Sequence, residues 1–224
     1  MSVIGITIGP TERPEIVANY VNAVQRAGGT PVLIPTSLSD VYHIENALGG
    51  VDSLVLSGGG DIHPSLYGEK TRTTLDSIDR LRDSMEMIAV EIMTRSERRI
   101  LGICRGAQML AVATGGTLVQ DLPSEGFMNH FDENHDRGYA TRQHPVKAEP
   151  GTQAERILSG LELVNSHHHQ AIRDPGTTLS PTAWAEDGVI EAVEAPGLLG
   201  LQWHPEASVD LDERHLEPFR WLTR

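Results

Sequence analysis

At 224 residues, the chain is long enough for one sizeable domain and can bury roughly 70% of its unfolded surface without staples. A net charge of −13, from 18 basic and 31 acidic residues, argues against nucleic acid or an anionic membrane surface as partner, since both demand clustered Lys and Arg. Aromatic content of 4% is too low for a base-stacking surface, and a single cysteine excludes an internal disulfide. A reducing, cytoplasmic setting is therefore expected.

The opening segment "MSVIGITIGP" lacks a basic stretch and breaks at Gly5, Gly9 and Pro10, so it does not read as a secretory signal. "VIGITIG" reads as a buried strand, and "PEIVANYVNAVQRAGG" as a helix with Ile16, Val17, Tyr20, Val21 and Val24 on its apolar face, stopped at Gly28 and Gly29. "TPVLIPT" is strand-like, "SDVYHIENALGG" is a short capped helix, and "VDSLVLSGGGD" is an apolar strand ending in glycines. From Asp76 to Arg98, Leu81, Met85, Ile88 and Ile92 predict the buried stripe of a longer helix. "RILGIC" is a further strand and "GAQMLAVATGG" a further helix. Strands alternating with helices predict a parallel sheet in a three-layer α/β domain.

The second half differs. "HPVKAEP", "LELVNSHH", "TAWAED", "VIEAVEAP" and "LLGLQW" are short strands between turn signals, with antiparallel pairings expected among them. "DERHLEPFRWLT" predicts a closing helix that Pro218 starts or interrupts. No repeat or linker divides the chain, so residues 1–224 are expected to form a single domain.

Cys104 lies in "GICRG", at the carboxyl end of an apolar strand, where open parallel sheets bind ligands. G-x-C-x-G is the thiol counterpart of the nucleophile elbow: a tight strand-to-helix turn with small residues at ±2. The corner sets the sulfur at a helix N-terminus, where free N–H groups and the macrodipole favour an anion. A lone cysteine is also a common core residue, so the remaining motifs must decide. "GLQWHPE" supplies His204 and, two residues on, Glu206. Residues at that spacing in an extended segment face one way, so Glu206 could hold one imidazole nitrogen while the other faces Cys104. The competing reading is a surface turn with an incidental His and Glu. "LSGGGD", residues 56–61, ends another strand, and its glycines let backbone N–H groups approach a ligand. Gly58 or Gly59 could then join the Arg105 amide as an oxyanion donor. As a phosphate loop the segment lacks the required Lys and Ser/Thr.

In this order, "LSGGGD", "GICRGAQ" and "GLQWHPE" resemble the class I glutamine amidotransferase superfamily, whose fold is flavodoxin-like. "SGGGDIHPSLYGE", "DSIDRLRDSMEM", "LGICRGAQMLAVATGGTLVQDLP", "VNSHHHQAI" and "DGVIEAVE" narrow the resemblance to the γ-glutamyl-γ-aminobutyrate hydrolase family, of cysteine peptidase C26 type, over nearly the whole chain. The resemblance implies Cys104 as nucleophile, His204 as general base and acid, and Glu206 as orienting carboxylate. It implies Gly59 and Arg105 in the oxyanion hole, and Gly58, Gln108, His168 and His169 around the γ-glutamyl group. The resemblance implies a small γ-glutamyl amine as substrate and a place in polyamine breakdown, with the departing amine left open. Two departures stand out: "GPTERPE" is short for the family, and Ala111 replaces an Asn found in many relatives.

"NSHHHQ" invites a metal reading, but adjacent histidines in an extended chain diverge, and no cysteine is available to complete a tetrahedral site. No metal or other cofactor is expected. "HFDENHDRGY", His130–Tyr139, groups His130, Asp132 and His135 in what reads as a solvated acidic loop and a candidate lid. The alternatives are a glutaminase subunit delivering ammonia to a synthase and, more remotely, a non-catalytic binder of γ-glutamyl compounds. A homodimer is the expected assembly.

Overall fold

A computed structural model describes residues 1–131 and 143–224. The first half alternates as expected: β1 (Val3–Ile8), α1 (Pro14–Arg26), β2 (Thr30–Pro35), α2 (Val41–Gly49), β3 (Ser53–Leu56), α3 (Arg80–Arg95), β4 (Arg99–Ile103), α4 (Arg105–Ala113) and β5 (Thr117–Val119). The second half adds β6 (Gln143–His144), β7 (Val146–Ala148), α5 (Gln153–Leu158), β8 (Val164–Asn165), β9 (Ala171–Asp174), β10 (Ser180–Ala185), β11 (Ile190–Ala195), β12 (Leu198–Leu201) and α6 (Glu217–Thr223). Pro218 starts α6 rather than breaking it, because a missing N–H costs nothing in the first turn.

The main sheet runs β2-β1-β3-β4-β12-β11-β10-β7. β2, β1, β3, β4 and β12 pair in parallel; β11, β10 and β7 continue it antiparallel. β12, next to β4 and parallel to it, is the last strand in the chain. That crossover sets two strand ends remote in sequence side by side.

Successive strand residues serve opposite cores. Val55, Leu101 and Leu199 pack with α1, α5 and α6, whereas Leu54, Ile100 and Leu198 pack with α2, α3 and α4. The result is the expected three-layer α/β domain. The edge strand β2 departs from the doubly buried pattern, leaving Val32 and Leu33 exposed.

The stripe expected on α3 is partly wrong. Leu81 is 54% exposed, while Arg82, Asp83 and Glu86 are buried beside Met85, Ile92 and Met93. The charged residues turn inward because they neutralise one another and Arg105. Among the described residues, no helix is long and apolar enough to cross a membrane.

Candidate active site

The corner between β4 and α4 has the shape its glycines imply. Cys104 adopts φ 51° and ψ −107°, a left-handed strain that costs a non-glycine residue on the order of 1–3 kcal/mol. A Cβ on Gly106 would lie 2.1 Å from the Leu56 carbonyl oxygen, and one on Gly102 would lie 2.4 Å from that of Gly106. Both positions exclude any side chain. The Cys104 amide donates to the Leu201 carbonyl at 2.7 Å, which ties the elbow to the end of β12.

Three residues past β12, His204 meets the elbow. Its Nδ1 lies 2.6 Å from Glu206 Oε1, and the imidazole is also hydrogen-bonded to the Cys104 sulfur. The local geometry is not the extended segment expected; Pro205–Ala207 is a short 3-10 turn, and this turn brings Glu206 back under the ring. Burial opposes a charge on His204, but the Glu206 carboxylate and then the Cys104 sulfur outweigh it and hold its pKa well above the ordinary histidine value. Asn165 fixes the His204 backbone from both sides, accepting from its amide at 2.7 Å and donating to its carbonyl at 2.6 Å. Asn165 was not legible in the sequence.

The glycine strand end is clamped from below. Arg82 donates to the Ser57 carbonyl at 2.9 Å and the Gly58 carbonyl at 2.8 Å, and also to Glu86 at 3.0 Å. Arg105 pairs with Asp83 at 2.6 Å and with Glu86. Two guanidinium groups thus meet two carboxylates in a buried, charge-balanced cluster. Burial pushes the Glu86 carboxyl up, but Arg105 and then Arg82 outweigh it and hold it below the usual carboxylate range. The cluster anchors both segments expected to supply oxyanion donors. As the first helical residue of α4, Arg105 has an amide with no intrahelical partner.

Gly58 and Gly59 have separate roles. The Gly58 amide donates to the Tyr20 hydroxyl at 2.8 Å, and a Cβ there would lie 2.7 Å from His204 Cε1. Gly58 therefore gives the imidazole room. Gly59, with φ 155°, lines the cavity beside Cys104.

The cavity measures about 410 Å³ and reaches Cys104, His204, Gln108, His168 and His169. Thr11, Glu12 and Arg13 of the loop between β1 and α1 line it, while Ala111 is buried on α4 outside its lining. Gln108 donates to the Gln170 carbonyl at 3.1 Å and to Gln202 at 3.2 Å. Gln202, missed in the sequence although it lies in "GLQWHPE", reaches the Cys104 sulfur at 3.6 Å. The adjacent histidines do diverge. His167 stacks on Phe131, His168 turns inward, and His169 lies 2.8 Å from Asp61 and 3.3 Å from Asp121. The Asp61 hydrogen bond raises the His169 pKa. His130 is buried against Asp187 rather than solvated, which corrects the acidic-loop reading at that residue. Residues 132–139 of that loop, with Asp132, His135 and the lid expectation, lie outside the described residues.

A thiol, an imidazole bonded to it and a carboxylate on the other ring nitrogen can perform nucleophilic acyl transfer. The peptidase C26 family model matches residues 7–206. The chain belongs to the peptidase C26 family. Among its relatives are protein NtpR of Enterococcus hirae, 35% identical over 84% of this chain and 79% of NtpR. The γ-glutamyl-γ-aminobutyrate hydrolase PuuD of Escherichia coli K12 is 33% identical over 84% of this chain and 76% of its own. The glutaminase domain of Trypanosoma brucei CTPS, 13% identical, superposes with a TM-score of 0.69 over 100% of this chain and 92% of that domain, which shows the shared fold. This C26 chain is therefore glutamine amidotransferase-like in sequence and in architecture.

Proposed function

We propose that this protein hydrolyses the γ-glutamyl amide bond of a small γ-glutamyl amine. The observation that carries the reading is His204, held between Cys104 and Glu206 on the wall of a cavity sized for a small ligand. His204 takes the Cys104 proton as the sulfur attacks the γ-carbonyl carbon. The oxyanion is received by the Gly59 and Arg105 amides, each such donor lowering the barrier by about 3–4 kcal/mol. His204 then gives its proton to the departing amine, leaving a glutamyl thioester. A water molecule, deprotonated by His204, attacks the thioester; glutamate leaves and the thiol is restored.

The kinship to a γ-glutamyl-γ-aminobutyrate hydrolase supports the γ-glutamyl half of the substrate. Arg13, which lines the cavity from the loop between β1 and α1, offers a cation to a carboxylate of the substrate. The test is glutamate release from γ-glutamyl-γ-aminobutyrate, uncharged γ-glutamyl alkylamines and glutamine. The reading expects turnover of the γ-glutamyl amines and little of glutamine. Glutamine as best substrate, with a synthase co-purifying, would instead make the protein an ammonia-delivering glutaminase subunit. Binding without turnover anywhere in the panel would make it a non-catalytic binder.

A further inference from the structure

Behind the cavity wall, four segments distant in sequence meet at one buried carboxylate. Glu191 of β11 is 1% exposed, and neither of its oxygens has a hydrogen-bond donor among the described residues. Its Oε1 faces three imidazole nitrogens: His130 Nδ1 at 3.5 Å, His144 Nε2 at 3.5 Å and His168 Nε2 at 3.6 Å.

The other nitrogen of each ring decides what these atoms carry. His130 Nε2 lies 3.1 Å from the Asp187 carboxylate, His168 Nδ1 lies 2.9 Å from the Gln170 carbonyl, and His144 Nδ1 lies 3.2 Å from the Pro145 carbonyl. All three partners are acceptors, so each imidazole turns its N–H toward them. Ser166 spends its hydroxyl proton on the His130 carbonyl at 2.8 Å. A neutral ring therefore presents a lone pair to Glu191 in every case. Three lone pairs and a carboxylate oxygen converge in a largely buried space, an arrangement that a metal cation relieves, as a proton on Glu191 would in its absence. Acceptors behind metal-bound imidazoles recur because they fix tautomer and ring orientation.

We propose that His130, His144, His168 and Glu191 bind one divalent transition-metal ion of zinc type in a closed, four-coordinate site. Four ligands about 2.0–2.1 Å from zinc stand about 3.3–3.4 Å from one another in a tetrahedron, close to the three nitrogen–oxygen separations here. The ligand atoms of His130, His168 and Glu191 lie within 4.8 Å of one another, so these three close on the ion by shifts of roughly 1 Å, while His144, 3.5 Å from Glu191 but outside that group, moves farther to complete the site. Three imidazoles and one carboxylate suit zinc, and no thiolate is required. Left empty, the site is costly: burial pushes the Glu191 carboxyl up to about 7 and the His168 imidazole down to about 4. The expectation of no metal rested on the divergence of His167, His168 and His169 and on the lack of a cysteine to complete a tetrahedral site. That divergence is real, yet it sends His168 to partners on other segments. The ion would tie the His168 stretch of the cavity wall to β6 and β11, as a structural site distinct from the triad.

The full-length chain, stripped with a chelator, is titrated with Zn²⁺ by calorimetry, and Tm is followed with and without the ion. The expected result is one zinc per chain, a rise in Tm, and a visible band of tetrahedral Co²⁺ on cobalt substitution. His144→Ala, at the partly exposed rim, and Glu191→Gln should each abolish stoichiometric binding. Asp187→Asn, which alters the acceptor behind His130 and leaves an amide oxygen for the Met128 and Val189 amides, should weaken it roughly 10–100-fold. Cys104→Ala should bind zinc as the wild type does. Absence of stoichiometric binding by the wild-type chain would overturn the proposal, and so would binding that survives His144→Ala and Glu191→Gln or disappears in Cys104→Ala.

Discussion

Gly58→Ala tests the geometry of the triad without replacing any of its members. The new methyl group would sit 2.7 Å from His204 Cε1, short of the 3.4 Å of an ordinary contact by 0.7 Å, and 3.3 Å from the Tyr20 hydroxyl. Neither side can yield freely. The imidazole is held by Glu206 at 2.6 Å and its backbone by Asn165, while Arg82 grips the carbonyls of Ser57 and Gly58. Overpacking of this kind costs about 1–3 kcal/mol, a fall of a few degrees in Tm. A misplacement of about 1 Å in a catalytic group costs on the order of 100-fold in rate, so a shift of ~0.7 Å predicts a loss of roughly 30–100-fold in kcat. KM should change little. Two assays read the effect: turnover of a γ-glutamyl anilide, and the rate at which iodoacetamide alkylates Cys104, which needs no knowledge of the substrate. A variant that is folded, within twofold of wild type in kcat and unchanged in alkylation rate would refute the reasoning.

Glu206→Gln should lower kcat/KM by about 10²–10⁴-fold, because the imidazole loses the charge that holds its tautomer. The same variant has a pH signature. The His204 pKa is raised in the folded protein, so its bound proton adds stability that is complete below the unfolded value of about 6.5 and lost as pH rises through the folded value. With the carboxylate gone this alkaline loss should shift to lower pH and shrink; Tm profiles identical to wild type would count against it. Arg82→Met strips a partner from buried Glu86 and frees the strand end at Ser57 and Gly58, so denaturant unfolding should show a loss of about 3–5 kcal/mol. At temperatures where this variant stays folded, kcat should also fall; an unchanged kcat would show that the clamp does not position the oxyanion donors.

What could be read from the sequence was whatever local chemistry dictates. Apolar runs and helical spacing predicted the layered α/β domain, and G-x-C-x-G predicted the strained elbow because no side chain fits at Gly102 or Gly106. His204 and Glu206 were legible as a pair two residues apart, although a 3-10 turn rather than an extended strand brings them together. Long-range pairing was not legible. Arg82, Asp83 and Glu86 fall outside the apolar stripe expected on α3, yet the helix turns them toward Arg105 and leaves Leu81 in water. The one available hint was the i, i+4 spacing of Arg82 and Glu86 inside "RLRDSMEM". Nothing local to Asn165 announced that it would hold the His204 backbone from β8, and His130 looked exposed because its partners, Asp187 and Glu191, lie far along the chain.

The central claim is that Cys104 carries the glutamyl group through a covalent intermediate. Acid quench of a single turnover with a γ-glutamyl amide, followed by intact mass and peptide mapping, tests it most directly. The account predicts a γ-glutamyl adduct on Cys104, amine released before glutamate, and no adduct in Cys104→Ser. Glutamate and amine appearing together with an unmodified Cys104, or undiminished turnover by Cys104→Ser, would contradict it.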